Sequence, residues 1–160
     1  MLSRTDNKMM VKIPQKERPV LQSVLFSLTE CSAALAALEE INRLHAEIRG
    51  MNLLERENLV LRPETVVTLV GTTRDSFCVR IANLFDKRKD IHSLKKYFHG
   101  DAIDKLEKHP ITVAAIKARH NNIAHMGKAY TKWPDIDAIL AATDLKELLE
   151  SIRIGILINR

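Results

Sequence analysis

The chain has 160 residues, 46% of them hydrophobic and 28% charged, and 25 Lys and Arg against 20 Asp and Glu give a formal net charge of +5. This composition is typical of one folded domain and excludes a largely disordered chain. The five glycines are not clustered, which argues against a glycine-rich phosphate-binding loop and a nucleotide-hydrolysing enzyme. No apolar run approaches the roughly 18 residues that cross a bilayer, and no secretory signal is evident. We therefore expect a cytoplasmic protein without a membrane segment.

Residues 1–19 are polar and carry an excess of positive charge, and they are predicted to form a flexible basic arm. Residues 20–160 are predicted to form one helical domain. Its first helix should run from Val20 to Arg49 and end at Gly50, because apolar residues recur there at helical spacing. The apolar stripe consists of Leu21, Val24, Leu28, Cys31, Leu35, Leu38 and Ile41.

A second helix is predicted from Pro63 to about Lys87, packed antiparallel to the first. Its apolar residues are Val66, Val70, Phe77, Ile81, Leu84 and Phe85. The segment from Asp86 to Asp90 alternates in charge and is interpreted as a solvated turn. Ser93 is predicted to cap a short helix that Gly100 ends, and residues 101–108 add a further turn or two.

Pro110 is predicted to begin the next helix and Gly127 to end it. Its apolar body consists of Ile111, Val113, Ala114, Ala115, Ile116 and Ala118. Residues 131–142 should form a loop with a short helix, in which Trp133 and Pro134 make a packed turn. A last helix is predicted from Thr143 or Asp144, with its apolar stripe at Leu145, Leu148, Leu149, Ile152 and Ile156. No segment alternates as a strand does, so the fold class is predicted to be all-α, an up-and-down bundle of four to five main helices.

The two cysteines, Cys31 and Cys78, lie far apart on apolar stripes and lack metal-ligand spacing. They are predicted to be buried, reduced thiols. His92 and His99 have no third ligand nearby, so no metal site is expected there. We expect no cofactor.

Between Glu107 and Asp135 the sequence contains no acidic residue. It contains five basic ones, Lys108, Lys117, Arg119, Lys128 and Lys132, together with His109, His120 and His125. Such a stretch predicts a positive surface that attracts a polyanion such as RNA. We predict that Lys117, Lys128 and Lys132 contact RNA.

Arg119 and His125 are the candidate catalytic residues. They lie six positions apart and project about 120° from one another on a helix, while Asn121 and Asn122 lie close enough to orient the imidazole ring. A histidine base would remove the proton of a 2′-hydroxyl, which attacks the adjacent phosphorus while an arginine stabilises the phosphoryl charge. The products would carry 2′,3′-cyclic phosphate and 5′-hydroxyl ends. The alternative is that these residues only end a helix, because cations and Asn are favoured in its last turn.

The spacing of Arg119, His120 and His125 resembles the motif of the HEPN superfamily, an arginine, a polar residue and a histidine four to six positions beyond the arginine. The segment RHNNIAHMGK follows long helices that include RIANLFDKRKDIHSLKKYF. This arrangement is similar to the HEPN group that contains abortive-infection proteins of phage defence, and the similarity covers roughly Val20 to the C-terminus.

The resemblance implies a HEPN-like helical bundle that dimerises with its motifs paired, and a metal-independent endoribonuclease that acts as a toxin. Arg119 and His125 would then be catalytic and His120 would support them. RNA, a second copy of the chain and an antitoxin protein are the implied partners. The superfamily toxins controlled by a nucleotidyltransferase carry a tyrosine where this chain has Gly127, so control by adenylylation is not expected. Two alternatives are a noncatalytic RNA-binding bundle and a protein-interaction subunit.

Overall fold

The computed structural model describes residues 18–88, 92–124 and 130–158. Within these ranges the chain forms eight α-helices and one π-helical segment, and no strand. They are α1 (Arg18–Gly50), α2 (Leu53–Glu57), α3 (Pro63–Asn83), α4 (Leu94–Tyr97), α5 (Asp101–Lys108), α6 (Pro110–Arg119), the π segment (His120–Ala124), α7 (Ile136–Ala141) and α8 (Thr143–Ile158).

The all-α prediction is confirmed for the described residues. The described chain has eight α-helices, whereas four to five main helices were predicted. Three of the eight, α2, α4 and α7, have only four to six residues, and of these α2 alone had no counterpart in the prediction. The predicted N-terminal arm lies almost entirely in residues 1–17, which are outside the described ranges.

Helix α1 forms with its predicted apolar stripe against the core, and it packs on α3 and α8. The chain directions of α1 and α3 follow from two pairs of neighbours. Arg80 forms an ion pair with Glu30 at 2.5 Å, while Thr72 and Ala37 line the same groove. Because the residue number falls along α1 as it rises along α3, the two helices are antiparallel, as predicted.

By length and composition alone, α1 is apolar enough between Pro19 and Gly50 to cross a membrane. The expectation that no segment has this property is therefore not met. Core helices of soluble proteins share the property, and α1 buries Leu28, Cys31 and Leu38 completely against neighbouring helices. The cytoplasmic location stays a prediction.

Helix α3 packs on both α1 and α6 and ends at Asn83, four residues before the predicted end. Its C-terminal turn continues as Leu84 and Phe85, which are buried. The backbone N–H of Leu94 donates a hydrogen bond to the carbonyl oxygen of Leu84 at 2.7 Å. This bond ties the end of α3 to the start of α4.

Gly100 has a φ of 155° and precedes the first residue of α5. It therefore starts α5, whereas it was predicted to end α4, which ends at Tyr97. His109 occupies the corresponding place before α6, where its Nδ1 accepts a hydrogen bond from the backbone N–H of Ile111 at 3.2 Å. Ile111, Ala115 and Ala118 are buried as predicted, but Val113 is exposed.

The C-terminal elements complete the core. Trp133 and Pro134 are buried, which confirms that they are packed, and α7 follows at Ile136. Helix α8 begins at Thr143 and packs on α1 and α5, with Leu145, Leu149, Ile152 and Ile156 buried. Cys31 and Cys78 are buried free thiols, as predicted.

Candidate functional site

The predicted site begins where α6 ends. Arg119 is the last residue of α6, and the chain continues as the π segment, which holds His120, Asn121 and Asn122. Single turns of π-helix occur frequently at functional sites. The predictions for His125, Gly127 and Lys128 concern residues outside the described ranges.

Arg119 is paired with an acidic residue from a distant part of the chain. Its Nη2 lies 2.8 Å from Oδ2 of Asp86, and only 22% of the arginine side chain and 6% of the aspartate side chain are exposed. The neighbouring Ala118 is completely buried. Packing of α6 on α3 therefore places Arg119 over the residues that follow α3.

Arg88 also binds Asp86. The backbone N–H of Arg88 donates to Oδ1 at 2.9 Å, while its Nε and Nη2 donate to Oδ2 at 3.1 and 3.0 Å. Burial alone would raise the pKa of Asp86, but hydrogen bonds from Arg88 and Arg119 and the charge of Arg119 outweigh it and lower the pKa to about 2. Asp86 is therefore ionised at neutral pH.

The interpretation of residues 86–90 as a solvated turn is wrong for Asp86. The backbone N–H of Asp86 donates to the carbonyl oxygen of Asn83 at 3.2 Å, so the residue extends the buried end of α3. The sequence did contain one indication that Asp86 is buried, because this carboxylate directly follows the apolar residues Leu84 and Phe85. Its partner Arg119 is distant in sequence, so the pair becomes evident only from the packing.

Asn121 and Asn122 bind Thr131. The Nδ2 of Asn122 donates to the carbonyl oxygen of Thr131 at 2.7 Å, and its Oδ1 accepts from the backbone N–H of Thr131 at 2.8 Å. The Nδ2 of Asn121 donates to Oγ1 of Thr131 at 2.6 Å. The role predicted for the two amides, to orient His125, concerns a residue outside the described ranges. Within them, both amides join the π segment to the chain before Trp133.

Two basic residues of the predicted positive surface, Arg119 and Lys132, have acidic partners in the structure. Besides the pairing of Arg119 with Asp86, the Nζ of Lys132 lies 2.8 Å from Oδ1 of Asp135, and both of these side chains are exposed. Although residues 108–134 contain no acidic residue, acidic side chains from other parts of the chain lie next to them in the described structure. Exposed pairs of this kind are weak and leave the lysine able to exchange partners.

His109 has a structural role, because besides its bond to Ile111 its Nε2 lies 3.4 Å from Oδ2 of Asp144 on α8. Lys117 and His120 are exposed near the C-terminal end of α6. Lys117 therefore remains available for the RNA contact that was predicted for it.

In the part of the chain that the structure describes, no three or more His, Cys, Asp or Glu side chains are grouped in a way that could hold a metal ion. Arg119 and Arg88 bring two guanidinium groups to the one carboxylate of Asp86, and guanidinium groups are well suited to binding an anion.

Comparison of the chain with protein-family models, with curated proteins and with solved structures finds no match. The resemblance to the HEPN superfamily therefore depends on the motif at Arg119, His120 and His125 and on the helices that precede it.

Proposed function

We propose that the protein is a metal-independent endoribonuclease of the HEPN type, built on a HEPN-like bundle and acting as a toxin or phage-defence effector. The observation that supports it best is the placement of Arg119. A buried carboxylate holds the guanidinium at the end of α6, directly before the polar part of the motif.

In the proposed reaction, Arg119 binds a phosphodiester of RNA and stabilises the charge that develops on the phosphoryl oxygens. His125 removes the proton of the adjacent 2′-hydroxyl. The 2′-oxygen then forms a bond to phosphorus while the bond to the 5′-oxygen breaks, and the 5′-oxygen takes up a proton. The fragments carry 2′,3′-cyclic phosphate and 5′-hydroxyl ends. DNA lacks the 2′-hydroxyl and is not cleaved.

The lysines supply further phosphate contacts in this proposal. Lys117 is exposed two residues before the end of α6, and Lys132 follows the residue that Asn122 binds. Together with Lys128 they bind RNA flanking the scissile phosphate. Two copies of the chain form the active dimer, with both motifs at the interface, and an antitoxin protein restrains the activity in the cytoplasm.

A second candidate function is a noncatalytic protein-interaction module. The observation that favours it is a set of exposed large apolar side chains around α2 and the first half of α3: Leu53, Leu54, Val60, Leu61, Val67 and Leu69. Helix α2 has no buried residue. Apolar side chains gathered on a surface in this way are typical of protein contacts.

The test is incubation of the purified protein with labelled RNA in EDTA, beside the variants Arg119→Ala and His125→Ala. We expect cleavage by the parent protein, cyclic phosphate ends on the fragments, and a loss of at least about 100-fold in rate for each variant. Lys146→Ala is the matched control, because it removes an exposed cation that pairs with Glu39 away from the motif. DNA of the same sequence should remain intact.

Undiminished cleavage by His125→Ala would show that the proposed mechanism is wrong. Intact RNA with every protein would favour the interaction module, which should then be recovered with a bound partner protein.

A further inference from the structure

Asp86 has no assigned part in the reaction described above, although it is the residue that contacts Arg119. We propose that Asp86 is a positioning residue, which holds the Arg119 guanidinium in one orientation so that its other N–H groups face a phosphate. This inference rests on the proposed function and assigns to it a residue outside the motif.

The carboxylate is itself fixed. It accepts hydrogen bonds from the backbone and side chain of Arg88, and the backbone of Asp86 is bonded to Asn83. Its side chain is 6% exposed, and the preceding Phe85 is buried. Since none of these contacts involves Arg119, the acceptor is in place whether or not the arginine binds it. A fixed acceptor of this kind can orient a long, flexible side chain.

The arginine retains the capacity to bind an anion. Among the described residues, Asp86 is the only group in contact with its guanidinium, through Nη2. A guanidinium has five N–H donors, so the Nε and Nη1 donors remain for a phosphate. Asp86 carries one negative charge and contacts two guanidinium groups, those of Arg88 and Arg119. The cluster of these three residues is therefore positive overall, as an anion-binding site requires.

The geometry has a competing interpretation with the opposite consequence. If Asp86 blocked Arg119 by occupying it in place of a phosphate, removal of the charge would increase the reaction rate. If Asp86 orients Arg119, its removal slows the reaction, because a misplaced catalytic group loses most of its effect. The fixed carboxylate and the uncommitted donors of Arg119 favour the second interpretation.

The kinetic test compares the effect of Asp86→Asn in two backgrounds, the natural protein and Arg119→Lys. Lysine keeps the charge but cannot be oriented as a planar guanidinium is. We expect Asp86→Asn to lower kcat about tenfold in the natural background with less than a threefold change in KM. In the Arg119→Lys background we expect less than a further twofold loss, because Asp86 acts through the arginine.

An equal loss in both backgrounds would show that Asp86 only stabilises the fold, and a rise in kcat would show that it competes with the phosphate. Either result overturns the inference. Asp86→Glu allows the same comparison if the Asn variant does not fold, since it keeps the charge and moves the carboxylate by one methylene. It is expected to reduce kcat less than Asp86→Asn in the natural background and to have no further effect in the Arg119→Lys background.

A second measurement does not depend on cleavage. In ¹⁵N NMR spectra of the full chain, an oriented Arg119 should give an Nη2–H signal that exchanges slowly with water, because Nη2 is the nitrogen that Asp86 binds. This signal is assigned by its loss in Arg119→Lys. Asp86→Asn should make that exchange at least tenfold faster, and unchanged exchange would overturn the inference. If the natural protein cuts no RNA, the proposed function fails, while this measurement still decides whether Asp86 positions Arg119.

Discussion

Asp86 is a carboxylate whose charge is held almost entirely inside the protein by two arginines. Its pKa in the folded protein is about 2, whereas an aspartate in an unfolded chain has a pKa of about 3.9. Because the folded value is the lower one, ionisation of Asp86 stabilises the fold at every pH above about 4. The stabilisation decreases as the pH falls toward 2. It amounts to about 2 kcal/mol at neutral pH.

We therefore predict that Asp86→Asn lowers the free energy of unfolding by about 2 kcal/mol at pH 7, and by much less near pH 2. Urea unfolding of both proteins across this pH range measures the difference. Glu147→Gln is the control, because this carboxylate is exposed on α8 and its removal should have little effect. A difference between Asp86→Asn and the natural protein that does not change with pH would contradict the assignment.

The two members of this pair differ in how far the sequence could predict them. Arg119 was found because the spacing to His120 and His125 forms a motif within one short stretch. Asp86 was not found, because its role depends on the contact between α3 and α6, and local charge alternation resembled that of a solvated turn. Local sequence patterns identify residues that act within one element. A partner residue from another part of the chain can be identified only once the packing of the helices is known.

At the scale of elements, the π segment is joined to Thr131 by the side chains of Asn121 and Asn122. Asn122 makes two hydrogen bonds to the backbone of Thr131, whereas Asn121 makes one to its hydroxyl. Loss of the hydrogen-bond partner of a partly buried backbone group costs more folding free energy than loss of a contact to a hydroxyl, because water readily replaces the hydroxyl contact. The link through Asn122 should therefore be the stronger of the two.

We predict that Asn122→Ala lowers the free energy of unfolding by about 1–3 kcal/mol, and Asn121→Ala by about 1 kcal/mol or less. Both substitutions lie in the same π segment, so each variant is a control for the general effect of placing an alanine in that segment. Urea unfolding gives the free energies, and hydrogen exchange of the Thr131 amide reports the bond directly. Equal losses for the two variants, with unchanged exchange at Thr131, would argue against this link.

The long helices were predictable because their apolar residues repeat at helical spacing over several turns. Helix α2 was missed because it buries no residue and therefore has no apolar stripe. A signal for it does exist, since Asn52 and Glu55 form a capping box. The π segment has no such signal, because the contacts that hold it run from Asn121 and Asn122 to Thr131, outside the helix.

For the whole molecule, the described core lies where α3 packs on α1 and α6, and α8 packs on α1 and α5. Cys31 on α1 and Cys78 on α3 are both completely buried in it. Burial strongly raises the pKa of the Cys31 thiol and raises that of Cys78 to about 12. Since the thiolate is the reactive form, neither cysteine should react with an alkylating reagent while the core is intact.

We predict that iodoacetamide at pH 8 labels both cysteines roughly 1,000-fold more slowly in the native protein than in urea-unfolded protein, because reaction requires opening of the core. As urea is increased, labelling of Cys31 and Cys78 should rise together, at the concentration where helical circular dichroism is lost. The labelling rate of each cysteine is assigned with the variants Cys31→Ala and Cys78→Ala, in each of which only the other thiol remains. Labelling of one cysteine well before the loss of helix would show that α1 and α3 separate without global unfolding. In that case the contact between them would not be the most stable part of the fold.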